Sequence, residues 1–365
     1  MTRTIRAALC RAHGAPLTVE EVRLAPPRAG EVTVDVAAVA VCHSDISFMD
    51  GAWGGALPAV YGHEAAGRVS AVGAGVTGRA VGDPVIVTLI RACGTCPCCA
   101  SGRPVLCAEA PDQRAHPLSL PDGAPVTQAM YAGAFAEAVT VHASQTAPVP
   151  EAMPMEAACL LACGVITGVG AAVNAAGVRP GQDVVVIGAG GVGLNAVQGA
   201  RIAGARRIVA VDLVPSKLDD ARAFGATDGV LASDPKPWRA VREVLGRGAD
   251  AVLVCTGAPR AYEEAPRHLA PGGRVVAVGM PPSGATSPIE PVILAAAGQG
   301  VIGSKMGDVV LARDIPWMVD LWSQGRLKLE ALVSRVWTLD EINAAVADTR
   351  AGAARRNVIR IEGAA

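Results

Sequence analysis

The chain has 365 residues, long enough for two domains of ordinary size, with a net charge of -1 and no block of like charge. That balance gives no electrostatic footprint for nucleic acid or an anionic membrane surface. Half of the residues are apolar but only 3% are aromatic, so a large core must be packed from Ala and Val.

Met1 to Arg11 lacks the apolar core of a signal peptide, and a cytoplasmic location is expected. The first 150 residues read as β-rich. Short Val-rich runs at Glu31–Val41, Arg68–Val72, Asp83–Leu89 and Ala136–Val141 are separated by Gly and Pro. Pro148 to Pro154 marks a boundary. The uncharged run Ala157–Val178 is rich in Ala and Gly, so a buried helix is expected there in preference to a membrane span. Beyond it, apolar runs at Asp183–Ile187, Ile208–Val211, Ala251–Cys255 and Arg274–Val278 alternate with helical segments, which predicts a doubly wound parallel sheet. After about Ile302 the pattern is mixed again, and Asn357–Ile361 reads as a closing strand. The predicted fold class is α/β. A nucleotide-type domain, 161–301, is inserted into a β-rich domain made of 1–160 and 302–365.

Gly188-Ala189-Gly190-Gly191-Val192-Gly193 follows the strand at Asp183–Ile187 and opens a helix. In a GxGxxG turn the first glycine permits the turn, the second admits a pyrophosphate, and the third lets helix and strand pack closely. The helix N-terminus then offers N–H groups to the phosphates. A second strand ends at Asp212, nineteen residues past Gly193. A carboxylate there hydrogen-bonds the ribose 2′-OH and repels a 2′-phosphate, so the reading is NAD in preference to NADP.

Ten cysteines in such a chain point to metal ligands or buried thiols. Cys93, Cys96, Cys99 and Cys107 have the spacing C-x2-C-x2-C-x7-C. Four thiolates so close in sequence can enclose one tetrahedral zinc and leave no open position, which makes the site structural. An iron–sulfur run would continue C-x3-C-P, and Cys107 departs from that. Cys98 breaks the spacing and is read as a bystander. The remaining candidates, Cys42, His63 with Glu64, and Cys163, are scattered, and spacing alone does not join them.

Gly62-His63-Glu64-Ala65-Ala66-Gly67, with Gly73 and Val76, matches GHExxGxxxxxGxxV. Together with Cys42-His43-Ser44-Asp45, the four-cysteine lobe, Cys163-Gly164 and the glycine turn, it resembles the zinc-containing medium-chain alcohol dehydrogenases over essentially the whole chain. The resemblance implies a GroES-like catalytic domain beside a Rossmann domain, NAD, and two zinc ions per subunit. It implies Cys42, His63 and Cys163 as ligands of a catalytic zinc with a vacant fourth place. Glu64 resembles a carboxylate that approaches the metal during ligand exchange, and Asp45 the acid that orients His63. Ser44 is similar to the hydroxyl that takes the substrate proton. Asp212 and Lys217 match the pair that grips the adenosine ribose, and His43 and Arg356 fall where basic groups meet the pyrophosphate. The implied reaction is hydride transfer between a small alcohol or aldehyde and the nicotinamide.

Ser47 stands where many relatives continue the proton relay with a histidine, so the relay is expected to use Ser47 or water. The long Cys107–Phe135 segment resembles dimeric relatives, and a homodimer is expected, with a tetramer as the alternative. Cys163-Gly164-Val165-Ile166-Thr167-Gly168 resembles branches that oxidise thiol adducts of formaldehyde. Trp53, however, occupies a position where the glutathione-dependent branch is expected to carry an acid. Trp53, Leu89 and Phe135 are the expected pocket walls, which favours an apolar or aromatic alcohol. A thiol-adduct formaldehyde dehydrogenase and a nicotinoprotein that retains NAD are the alternatives. The intact ligand set argues against a retired, non-catalytic relative or a zinc-free reductase.

Overall fold

The computed structural model describes residues 2–109 and 117–362. The chain forms two compact units, one of Met1–Cys163 with Val310–Ala365 and one of Gly164–Val309.

In the first unit, β1 (Arg3–Cys10), β2 (Thr18–Leu24), β3 (Glu31–Ala40), β4 (Ala59–Val60), β5 (Glu64–Val72), β6 (Pro84–Val87), β7 (Leu118–Ser119), β8 (Pro125–Gln128), β9 (Ala138–His142) and β10 (Thr146–Pro148) precede the crossover. Among the described residues, β1, β2, β7, β8 and β4 close into a barrel. Closure removes the exposed strand edges that an open sheet of this size would present. The interior is filled by Ile5, Leu9, Val22, Leu24, Val126 and Phe135, in one cluster with the inward residues of β3 and β5.

The second unit carries β11 (Asp183–Ile187), β12 (Arg207–Asp212), β13 (Asp228–Leu231), β14 (Ala249–Val254), β15 (Leu269–Ala277) and β16 (Gly300–Gly303). All are parallel, in the order β13-β12-β11-β14-β15-β16. Numbered from β11, that order is 3-2-1-4-5-6, the arrangement of dinucleotide-binding sheets. Helices at Gly191–Ile202, Pro215–Phe224 and Pro237–Leu245 supply the crossovers. β11 is buried at every residue, as expected for a strand covered on both faces.

The chain then returns to the first unit with β17 (Val333–Thr338) and β18 (Arg356–Arg360). β18 pairs antiparallel with the end of β3, completing a sheet ordered β10-β6-β5-β3-β18-β17, with β9 also on β3. The strand that leads into Cys42 is therefore supported by a segment that follows the inserted unit in sequence.

The uncharged Ala157–Val178 run is broken at Cys163, whose φ of −148° and ψ of −69° interrupt the helix. No single helix among the described residues is long and apolar enough to cross a membrane. Residues Ala157 to Ala172 of that run are buried in the protein's own core.

Candidate active site

β3 ends at Ala40, two residues before Cys42, and Cys42 caps the helix His43–Met49 with an extended backbone. Asp45, inside the first turn, is fully buried, and its carboxylate is used three times. It accepts from the Cys42 N–H at 3.1 Å and from the Gly62 N–H at 2.9 Å, and it faces His63 Nδ1 at 3.0 Å. One side chain thus ties the helix start to the loop before β5. Gly62 has φ +92°, and a Cβ there would lie 2.7 Å from the Phe135 nitrogen, so only glycine lets the backbone turn His63 inward.

With Nδ1 donating to Asp45, Nε2 of His63 carries the lone pair. Nε2 is buried and has no hydrogen-bond partner. Around it, one donor atom each from Cys42, His63, Glu64 and Cys163 lies within 4.8 Å of the others, and all four residues are buried. An orphaned imidazole nitrogen beside two buried thiols has no stable reading as plain core. As a Cys2His donor set it fits zinc. Burial works against a charged imidazole at His63, yet Asp45 and Cys42 pull its pKa well above the ordinary histidine value. Cys42 is drawn well below the ordinary thiol range, chiefly by its hydrogen bond with Cys163.

Burial pushes Glu64 up to about 8 against the pull of Arg356. The Arg356 guanidinium lies 3.3 Å from the Glu64 carboxylate, close enough to pair although not in hydrogen-bond geometry. Both side chains are 5% exposed or less. Arg356, expected at the pyrophosphate, lies beside Glu64 and the Cys42 thiol. His43 is exposed at the start of its helix. Ser44 and Ser47 are half-buried and one turn apart, on one face of that helix.

The donor atoms of Cys93, Cys96, Cys99 and Cys107 also lie within 4.8 Å of one another. Backbone amides point at the sulfurs: Cys93 N–H donates to Cys107 Sγ and Cys96 N–H to Cys93 Sγ, both at 3.3 Å. The N–H groups of Cys99 and Ala108 draw Cys96 down to about 6. Burial pushes Cys99 the other way, up to about 12, but four cysteines with no further side chain in the set suit a closed zinc site. Cys98 lies outside the group.

In the second unit, a Cβ on Gly193 would sit 1.8 Å from the Gly188 carbonyl, whereas a Cβ on Gly190 would meet nothing within 4 Å. Gly193 is thus required by the protein's own packing. Gly190 is not, and its bareness leaves room for a group from outside. Gly191 and Val192 begin the helix behind it. Asp212 Oδ2 accepts from the Ala189 N–H at 2.7 Å and Oδ1 from the Val214 N–H at 3.0 Å, so the acid at the end of β12 also braces the glycine turn. Lys217 lies half-buried early in the next helix.

Of the expected pocket walls, Trp53 is half-buried with its ring edge-on to Phe48 at 5.0 Å, and Leu89 is half-buried. Phe135 differs. Its side chain has no exposed surface, and it packs in the barrel core against the space over Gly62. Its aromatic character marked it as a wall, but the close approach of Gly62 makes it a core residue. Two features had no signal in the sequence. Met130 and Tyr131 both adopt positive φ, 48° and 60°, with the Tyr131 carbonyl accepting from Gln145 Nε2 at 2.8 Å. Asn357, next to Arg356, is completely buried.

Residues 28–151 match the alcohol dehydrogenase GroES-like domain and residues 191–324 the zinc-binding dehydrogenase domain. S-(hydroxymethyl)glutathione dehydrogenase of Escherichia coli is 38% identical over 97% of this chain and 99% of its own length. Alcohol dehydrogenase 1 of Pisum sativum is 34% identical over 98% and 97%. The chain belongs to the zinc-dependent alcohol dehydrogenase family, within the medium-chain dehydrogenase/reductase superfamily. Among solved structures, benzyl alcohol dehydrogenase from Acinetobacter calcoaceticus superposes with a TM-score of 0.93 at 32% identity, covering 98% of this chain and 99% of that one. A zinc-binding alcohol dehydrogenase protein from Burkholderia ambifaria gives 0.95 at 36%, with 99% of each chain covered. This alcohol dehydrogenase family member is a zinc-dependent oxidoreductase that uses a nicotinamide dinucleotide.

Proposed function

We propose that the enzyme reversibly oxidises a small primary or secondary alcohol, apolar or aromatic, to the aldehyde or ketone, passing hydride to NAD. Cys42, His63 and Cys163 hold a catalytic zinc, and Cys93, Cys96, Cys99 and Cys107 hold a structural one. The observation that carries this reading is the buried, unbonded His63 Nε2 among two buried thiols and a carboxylate. When bound, the catalytic zinc supplies a Lewis acid that makes an alcohol hydroxyl acidic near neutral pH. The chain supplies the rest. Asp45 fixes the His63 tautomer and ring plane. Ser44 takes the hydroxyl proton, and Ser47, one turn further along the same helix face, passes it towards solvent in place of the relatives' histidine. Asp212 accepts from the adenosine ribose and selects NAD over NADP, with Lys217 beside it. The glycine turn from Gly188 through Gly190, Gly191, Val192 and Gly193 receives the pyrophosphate, with His43 as a further basic contact. Trp53 and Leu89 give the substrate an apolar surface.

The test is a panel of alcohols and aldehydes followed by NADH absorbance, with metal content measured on the same sample. The expected result is turnover of apolar alcohols by material holding two zinc ions per subunit. Fully active enzyme holding a single ion, in the four-cysteine lobe, would overturn the reading. The 38% identity with the E. coli S-(hydroxymethyl)glutathione dehydrogenase favours a second reading, oxidation of a thiol adduct of formaldehyde. Formaldehyde turnover that requires added thiol separates the two, and NAD retained through purification would mark a nicotinoprotein.

We further propose a cytoplasmic homodimer. β16 is the outer strand of its sheet, and Val301 on it, with Val292 and Ile293 of the helix Pro291–Ala297, is exposed. An open strand edge beside apolar side chains calls for a partner. The long Cys107–Phe135 segment that suggested dimers from the sequence contains residues 110–116, which lie outside the described residues.

A further inference from the structure

Asn357 is the second residue of β18 and has no exposed surface. Its carboxamide is fully used. Oδ1 accepts from Trp337 Nε1 at 3.0 Å, and Nδ2 donates to Asp348 Oδ2 at 2.8 Å and to Thr349 Oγ1 at 2.9 Å. Thr349 in turn donates to the Ala345 carbonyl at 2.9 Å. These partners lie on β17 and on the helix Ile342–Ala351, so one amide clamps strand to helix. The Asn357 carbonyl accepts from the Val41 N–H at 2.9 Å, immediately before Cys42.

Successive side chains of a strand point to opposite faces. With Asn357 fixed towards the helix, its neighbour Arg356 is directed the other way, against Glu64 at 3.3 Å and beside the Cys42 thiol. Glu64 is the only member of the four-residue cluster outside the Cys2His set, and its carboxylate is within reach of the same point in space. The guanidinium of Arg356 faces it at 3.3 Å. A buried amide with every polar atom satisfied holds its geometry more tightly than a surface contact does, because each alternative leaves an unpaired group inside.

We infer that Asn357 is a positioning residue: through the strand it fixes Arg356, and Arg356 restrains Glu64 and neutralises Cys42, which sets how firmly the catalytic metal is retained. The inference rests on the proposed Cys42, His63 and Cys163 zinc site. If the clamp loosens, the Arg356 charge moves from Glu64 and Cys42. Glu64, whose carboxylate shares the space of the Cys2His donors, would then be free to compete with them for the metal.

The experiment follows zinc release from the holoenzyme to a chromogenic chelator, where the lobe and the catalytic site give separate phases. Assigning the phases uses Cys99→Ser for the lobe. N357L is expected to speed the catalytic-site phase about tenfold, in the range for loss of a group supporting a metal ligand, and to leave the lobe phase unchanged. T349V, which removes one acceptor and leaves the strand intact, should move the same phase less in the same direction. In an R356Q background N357L should add nothing further, because both act through one guanidinium. Equal acceleration of both phases, an N357L effect that adds in full to that of R356Q, or no effect of either N357L or T349V would overturn the inference. A wild-type enzyme releasing a single zinc, from the lobe, would instead remove the metal-site reading beneath it.

Discussion

Asp45 carries more of the site than its distance from the reacting atoms suggests. It accepts from two backbone amides, one on each side of the site, and orients the imidazole between them. Replacing it with Asn keeps the shape but removes the charge and turns one accepting oxygen into a donor facing donors. D45N is expected to lose about 10–100-fold in zinc affinity at one of two sites. Dialysis against a buffered chelator followed by elemental analysis would then show one zinc per subunit in D45N and two in the parent. Two ions in both would show that Asp45 does not support a ligand. The four-cysteine lobe was legible as a ligand set because its residues are neighbours along the chain. Cys42, His63 and Cys163 were not, since a helix cap, a strand start and a helix break bring them together. Their assignment came from a resemblance, and no spacing rule would have found Arg356 at Glu64 or Asn357 behind it.

At the scale of elements, β11 was readable to its terminal residues because a strand buried on both faces is a continuous apolar run. β9 was expected to begin at Ala136, but Ala136 makes only a single bridge to Ala7 before the ladder starts at Ala138. The short barrel strands β4, β7 and β8 left no pattern, since two to four residues cannot display a period and their partners are remote in sequence. The glycine turn shows the gain from structure most clearly. Asp212, legible as a ribose acceptor, also braces the Ala189 and Val214 amides. Asp212→Gly should therefore lower kcat/KM for NAD by roughly 10–100-fold, from bonds to a charged group worth about 1.5–3 kcal/mol. The same change should raise the NADP-to-NAD ratio of kcat/KM by removing the charge that repels a 2′-phosphate. An unchanged ratio in parallel assays would take Asp212 out of cofactor selection.

At the scale of the whole molecule, a buried histidine in the turn just before β15 sets a pH limit. His268 is 1% exposed, and its Nδ1 has no hydrogen-bond partner. Burial, helped by the charge of Arg242, holds it down to about 4 from an ordinary 6.5. Between those values the unfolded chain binds a proton that the folded chain does not, so stability falls as pH drops through that window and is flat above it. The loss attributable to His268 is roughly 2 kcal/mol at pH 5 relative to pH 7. H268Q should flatten that dependence, read as a smaller shift of the urea midpoint between pH 7 and pH 5. An equal shift in both proteins would mean other groups carry the acid sensitivity.

The pairing of β18 with β3 also imposes an order on biosynthesis. Every cysteine of the lobe emerges from the ribosome close to its partners, so that loop can capture its ion early. The open centre is different: the strand that backs Cys42 is translated only after the whole inserted unit, Gly164–Val309, has been made. The backing of Cys42 is therefore among the last parts of the fold to be completed during synthesis.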